Sequence, residues 1–236
     1  MRIARYLAMA GVASRRACEE LLASHCVEVN GERVTSPALK VDPHRDQVYF
    51  DGRPLRPSER YYLLLYKPVG VTCSSHDRHA ARLVRELLPQ HFGRLFTVGR
   101  LDRDSEGLLV CTNDGQFAQR VAHPRHGVEK TYRVYVRDRV DNAVLRRMRG
   151  GLVSEGEVLR PRKLRRIAVH GGKTMITELE IVLQEGRKRE IRRLCQAVGA
   201  DIVRLQRIGI GPIFDAELKP GQWRHLRKSE VAALSS

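Results

Sequence analysis

The stretch Gly99-Arg100-Leu101-Asp102-Arg103-Asp104-Ser105-Glu106-Gly107-Leu108-Leu109 constrains this chain more than any other. It places a run of charges between one apolar segment ending at Val98 and another spanning Leu108 to Thr112. Such a pattern predicts a polar loop held between two buried strands. Rigid at both ends, a loop of this kind can aim and partly desolvate a carboxylate that still meets a substrate. Asp102, at its centre, is the candidate catalytic group. The plain alternative is an Asx-type turn in which Asp102 or Asp104 bonds its own backbone, since Asp, Ser and Gly are ordinary turn residues.

The flanking segments supply walls for that loop. Tyr61 to Tyr66 is a continuous apolar run, the pattern of a strand buried on both faces, and it ends in the turn Lys67-Pro68-Val69-Gly70. Residues 77 to 92 are expected to be partly helical through Leu83, Leu87 and Leu88. Asn113-Asp114-Gly115 predicts a turn and a helix start, with Phe117 and Val121 on one face. Lys130 to Val136 alternates, with Lys130, Tyr132, Val134 and Val136 on one face and Thr131, Arg133 and Tyr135 on the other. Residues 141 to 150 predict a helix, 151 to 174 an irregular basic segment, and Leu179, Ile181 and Leu183 a half-exposed strand. From Glu190, the positions Ile191, Leu194, Cys195 and Val198 fall at helical spacing, leaving Arg189, Arg192 and Arg193 on another face. Arg187-Lys188-Arg189 at the start of that helix opposes the positive end of its dipole, which implies a carboxylate or a phosphate nearby.

Ahead of all this, residues 2 to 10 place Ile3, Leu7 and Ala10 on one helical face. Gly11 breaks the helix, and Ser14 N-caps a second one carrying Ala17, Leu21 and Leu22 inward. Val27, Val29, the pair Asn30-Gly31 and Val34 predict a hairpin, and Val48-Tyr49-Phe50 a further strand. Pro54, Pro57 and Ser58 mark a stiff linker, so domains are expected at 1–58 and 59–236.

Charge narrows the partner. Lys and Arg number 43 against 27 Asp and Glu, a net +16 with a pI near 10.3, which points to a polyanion and foremost to nucleic acid. Residues 1 to 59 hold nine basic and eight acidic side chains, whereas residues 120 to 210 hold twenty-two and ten, so the phosphate attraction should lie in the second half. The five cysteines are odd in number, widely spaced and never paired as Cys-x-x-Cys, the usage of buried thiols in a reducing cytosol. No signal-peptide apolar region and no run near about 18 apolar residues is present, so a soluble cytoplasmic protein without a membrane partner is expected. His123 is a candidate general base, with packing or RNA contact as its alternatives, and nothing clusters with it at metal-ligand spacing.

Gly99-Arg100-Leu101-Asp102, Ser105 and Gly107-Leu108-Leu109 resemble the catalytic motif of the pseudouridine synthases that modify ribosomal RNA, with Ser105 where threonine is commoner. Lys130-x-Tyr132-x-Val134 is similar to that family's second motif. Glu185 to Leu194 is similar to its third, with Lys188 and Glu190 where Asn and Gln are common. Arg204 to Pro212 and Leu218 to Arg224 resemble its closing strand and tail, and Lys67 to Gly70 a turn bordering its cleft. Residues 1 to 55, through Ala10 to Arg16 and Val27 to Gly31, resemble the S-four RNA-binding domain. The resemblance implies an α+β chain: a small helix-plus-sheet RNA-binding domain, then a catalytic domain with a mixed, largely antiparallel sheet flanked by helices. Ala10 to Arg16 and the tail lean towards members acting on large-subunit RNA.

It also implies roles. Converting uridine to pseudouridine breaks a carbon–nitrogen glycosidic bond, turns the base and rejoins it through carbon five, so no cofactor or metal is required. Asp102 would attack the anomeric carbon or remove the ribose 2′ proton, the sequence leaving both open. Tyr132 would stack on uracil, and Arg187, with Arg189 in reserve, would pair with Asp102 and keep it ionised. Arg100 would stack in the gap left by a flipped base. Arg2, Arg5, Arg15 and Arg16, with Lys130, Lys188, Arg189, Arg192 and Arg193, are the expected RNA contacts. The partner is ribosomal RNA or a pre-ribosomal particle, and the chain is expected to act as a monomer. Two rival readings are a non-catalytic RNA-binding or ribosome-assembly protein, and a carboxylate-dependent glycoside or nucleobase hydrolase.

Overall fold

The computed structural model describes residues 1–74 and 80–235. The chain packs as two units, Met1–Tyr61 with Gln90–Arg94, and Tyr62–Pro89 with Leu95–Ser236. In the first, helix α1 (Ile3–Met9) ends before Gly11, which takes φ +85°. Helix α2 (Arg15–Ser24) starts under the Ser14 hydroxyl, which accepts the Ala17 amide at 3.2 Å. Its buried stripe is Cys18 and Leu22, rotated by one position from the expected Ala17 and Leu21, which are half-buried. Strands β1 (Val27–Val29), β2 (Glu32–Arg33), β3 (Val48–Phe50) and β4 (Arg53–Leu55) form an antiparallel sheet in the order β2-β1-β3-β4. Asn30 and Gly31 take φ of 54° and 86°, the left-handed pair that a tight hairpin needs. Pro54 belongs to β4 and not to a linker. Asp51 and Gly52, also left-handed, fold the chain back on β3, and an edge strand tolerates a residue with no amide to donate.

The second unit follows as β5 (Tyr62–Lys67), β6 (Phe96–Thr97), β7 (Glu106–Thr112), α3 (Gly115–Ala122), β8 (Lys130–Arg137) and α4 (Asn142–Gly150). After these come β9 (Leu152–Ser154), β10 (Glu157–Leu159), β11 (Lys163–His170), β12 (Ile176–Leu183) and α5 (Glu190–Gln196). The chain closes with β13 (Ile202–Ile210), β14 (Ile213–Phe214), β15 (Trp223–His225) and α6 (Lys228–Ser235). Among the described residues nine strands make one sheet in the order β11-β12-β8-β13-β7-β5-β15, with β14 beside β13 and β6 beside β7. Its pairings are antiparallel except β13 with β7, the mixed, largely antiparallel sheet that was expected. Val134, Leu179 and Ile181 pack with Met148 of α4 and Leu194 of α5, while Leu108 and Val110 pack with Phe117 of α3 and Leu234 of α6.

One local expectation, the partly helical stretch, is met in part, and two need correction. Within 77 to 92 the described residues form two short 3-10 turns, Val84–Leu87 and Gln90–Phe92, because Leu88 is extended ahead of Pro89; residues 77–79 lie outside the described residues. Residues 151 to 174 are not irregular: they hold the β9–β10 hairpin and all of β11. Arginines hide the alternation there because β11 is an edge strand, and a register shift between Arg166 and Ala168 breaks its period. Charged side chains on such an edge also discourage pairing with another chain. Glu178 of β12 is buried and not half-exposed, since Arg133 and His170 each lie 3.0 Å from its carboxylate.

Candidate active site

Asp102 lies in the link from β6 to β7. Leu101 beside it is buried in the core cluster that also holds Tyr132, and the Ser105 amide closes a turn on the Asp102 carbonyl at 3.1 Å. On the other flank the Gly70 amide donates to the Arg103 carbonyl at 2.8 Å, so the Lys67–Gly70 turn fastens the loop. Gly107 has a geometric cause. Parallel β13 runs against β7 at the pair Arg207 and Gly107, and a Cβ on Gly107 would lie 2.2 Å from the Arg207 carbonyl oxygen. With φ at +112° as well, only glycine fits.

A cavity of about 500 Å³ opens at this loop, within the usual range for small-ligand sites. Asp102, Arg100, Tyr132, Leu205, Arg187 and Arg189 help to line it. The pleat of β8 sends Tyr132 into the cavity wall, whereas Tyr135 faces the other side of the sheet, with the Arg204 guanidinium 5.7 Å from its ring centre. Arg189 stands at the N-cap of α5 in the left-handed region, φ 51° and ψ 33°. From there its Nη1 is 3.8 Å from Asp102 Oδ2, and its Nη2 is 3.3 Å from Asp104 Oδ2. Arg192 Nη2 donates to the Asp104 carbonyl at 2.9 Å and to the Ser105 hydroxyl at 3.3 Å. The anion implied by the basic start of α5 is thus a pair of carboxylates from the Asp102 loop.

Arg187 does not pair with Asp102. Its Nε donates to Glu185 at 2.8 Å and its Nη1 to the Val158 carbonyl at 2.8 Å, and Glu185 holds its guanidinium above the ordinary range. Arg193 is likewise withdrawn from the exposed face on which the spacing set it. Its side chain is 9% exposed, with Nη1 bonded to Glu157 at 2.7 Å and Nη2 to the Ser154 carbonyl. In both cases the β9–β10 hairpin provides a partner, the Val158 carbonyl for Arg187 and Glu157 with Ser154 for Arg193. Arg100 and Lys188 are exposed at the rim of the cavity. Lys130 is half-buried and does not line it; burial, and then Arg207, push its ammonium down to about 8. In the first unit Arg2, Arg15 and Arg16 are exposed and Arg5 is half-buried. His123 is exposed, and its Nδ1 accepts the Arg125 amide at 3.2 Å, capping a short turn.

Lys67 is a residue of the site to which the sequence pattern assigns no role. It is fully buried, and its Nζ donates to the carbonyls of Pro68 at 2.9 Å and Val71 at 2.8 Å. Burial pushes the ammonium down, and Cys73, Asp104, Asp102 and Glu106 act in the opposite direction. The available signal was a lysine closing a run buried on both faces, since a lysine is almost never fully buried without partners. Among the described residues no three His, Cys, Asp or Glu side chains are placed to hold a metal ion, and no helix is long and apolar enough to cross a membrane.

Residues 61–197 match the family model for RNA pseudouridylate synthase, and residues 1–48 match that of the S4 domain. The chain belongs to the RNA pseudouridylate synthase family. The synthase is 41% identical to an uncharacterized RNA pseudouridine synthase of Aquifex aeolicus (strain VF5), over 99% of its own length and 93% of that protein's. It is 34% identical to ribosomal large subunit pseudouridine synthase B of Bacillus subtilis (strain 168), over 99% of its length and 95% of that protein's. A crystal structure of a pseudouridylate synthase aligns with a TM-score of 0.70 at 29% identity, covering 99% of each chain. The synthase is therefore an RNA-modifying isomerase carrying an S-four RNA-binding domain ahead of its catalytic sheet.

Proposed function

We propose that the synthase isomerises a uridine of large-subunit ribosomal RNA, with Asp102 as the essential group. The observation that carries this is the meeting of Asp102 and Tyr132 on one cavity, with the Arg189 guanidinium 3.8 Å from the carboxylate. The choice of RNA is supported by the Bacillus subtilis relative, named for the large subunit and 34% identical over nearly the whole chain.

The target uridine leaves its stack to enter the cavity. Its N1–C1′ bond breaks, the uracil turns while held, and a C5–C1′ bond forms. The proton lost from C5 is balanced by one gained at N1, so the product is an isomer. Asp102 acts as nucleophile at C1′ or as base at the 2′ carbon. Tyr132 stacks on the uracil and its hydroxyl is the group for proton removal at C5. Arg189, rather than Arg187, keeps Asp102 ionised once RNA excludes water. Arg100 fills the gap in the RNA stack, while Lys188 and the exposed arginines of the S-four domain meet phosphate. Each of these groups comes from one chain, so a monomer suffices.

Purified protein incubated with deproteinised ribosomal RNA tests the reading, with pseudouridine mapped at nucleotide resolution and free base measured alongside. New pseudouridine confined to large-subunit RNA is expected. Released uracil would indicate a hydrolase, and bound but unmodified RNA a binding protein.

A further inference from the structure

A second groove, of about 790 Å³, shares Arg187 and Glu190 with the Asp102 cavity. Its other cations are Arg149 of α4, Arg160 and Arg162 from the link between β10 and β11, and Lys163 at the start of β11. Its two carboxylates already have partners: Glu185 accepts Arg187 Nε, and Glu190 accepts the Arg187 amide at 3.0 Å. The cations are less satisfied. Arg160 is exposed and has no ion pair among the described residues. Arg162 and Lys163, 65% and 70% exposed, share the single carboxylate of Glu129 at 3.8 and 4.0 Å. A concave surface crowded with unmatched positive charge repels itself until a polyanion lies in it. Guanidinium groups suit phosphate oxygens in particular.

We propose that this groove binds the phosphodiester backbone of the RNA strand adjoining the target uridine, extending the substrate track past the Asp102 cavity. The inference rests on RNA being the substrate of that cavity. It assigns Arg160, Arg162 and Lys163 as phosphate contacts, on a stretch that carries none of the family's motifs.

The triple variant Arg160→Ala, Arg162→Ala, Lys163→Ala removes three exposed side chains with no part in the proposed chemistry. Dissociation constants for a mixed-sequence single-stranded 20-nucleotide RNA are measured against salt, with single-turnover conversion at saturating ribosomal RNA. The logarithmic salt slope is expected to fall by about 2, at roughly 0.7 per phosphate on single strands. Binding at about 0.1 M salt weakens tenfold or more, and the saturated rate is unchanged. A control variant with Arg139→Ala, Arg146→Ala and Lys173→Ala loses the same charge elsewhere and is expected to change the slope by less than about 0.7. Equal effects of the two variants, or no effect of the first, overturn the proposal. Should the triple variant unfold, Arg160→Gln alone is expected to lower the slope by about 0.7, and an unchanged slope refutes the groove. If the parent makes no pseudouridine yet the slope falls selectively, the groove stands and the enzymatic reading fails.

Discussion

Arg193→Ala is expected to cost stability and leave RNA binding unchanged, although its spacing puts Arg193 on a basic helix face beside Arg192. The side chain is 9% exposed, and its guanidinium bonds Glu157 at 2.7 Å and lies 3.6 Å from Glu155. It also satisfies the Ser154 carbonyl. Truncation leaves Glu157 half-exposed and free to rehydrate, so the loss comes from two charge-assisted hydrogen bonds and the packing of the stem. Together these amount to about 2–3 kcal/mol. For a domain of this size each kcal/mol lowers the unfolding midpoint by about 2–4 °C, so a drop of roughly 5–10 °C is predicted. Arg193→Lys keeps the charge but not the forked geometry and should recover about half of that drop. Circular dichroism melts measure the midpoint, and RNA dissociation constants across a salt series measure released counterions. A guanidinium already engaged by Glu157 releases none. A midpoint within about 1 °C of the parent, with a salt slope lower by about 0.7–0.9, would show that Arg193 meets phosphate and that the hairpin contact is dispensable.

Three further outcomes are expected. Asp102→Asn keeps the side chain's size and removes its charge, so RNA affinity should stay within a few-fold while pseudouridine becomes undetectable; single-turnover activity within about tenfold of the parent would move the role to another group, Asp104 first. Gly107→Ala forces a Cβ to within 2.2 Å of the Arg207 carbonyl, so β7 and β13 must separate. It should melt well below the parent and lose turnover, and an unperturbed melt would contradict the close approach. Lys130→Met tests the buried ammonium, held at about 8 against an ordinary 10.5. Between those values the unfolded chain keeps a proton that the folded chain has released, so the parent gains stability as pH rises through this window. The variant should therefore be more stable than the parent at pH 7, by up to about 3 kcal/mol, and the advantage should vanish near pH 10.5. An advantage that ignores pH would assign the effect to packing.

Elements whose buried faces are set by local chemistry were legible before the structure. Ser14 caps where the chain predicts a cap, α3 starts at the Asp114 turn where a helix start is predicted, and Phe117 and Val121 face inward. β5 is buried from Leu63 to Lys67, as its unbroken apolar run requires. β11 was not legible, because an edge strand in a basic protein presents arginine where alternation would show valine. Pro54 misled for a related reason, since proline marks both linkers and edges and only pairing with β3 decides between them.

At the site, the two errors have one origin. Periodicity on α5 begins at Glu190, so Arg187 to Arg189 obey turn geometry instead, and Arg189 at φ 51° turns towards Asp102 when helical spacing has no say. Arg187 and Arg193 then point where the β9–β10 hairpin offers Val158, Glu157 and Ser154, and that hairpin was the element hidden in the basic stretch. Missing it left both cations nominally free for RNA. Of the five between Arg187 and Arg193, two hold the hairpin, two hold the Asp102 loop, and Lys188 alone is exposed without an ion pair among the described residues. The third motif is therefore chiefly a clamp that fixes the carboxylate's surroundings. On the proposed groove, phosphate attraction comes in part from cations outside the motif, Arg160, Arg162 and Lys163, whose side chains have few partners of their own.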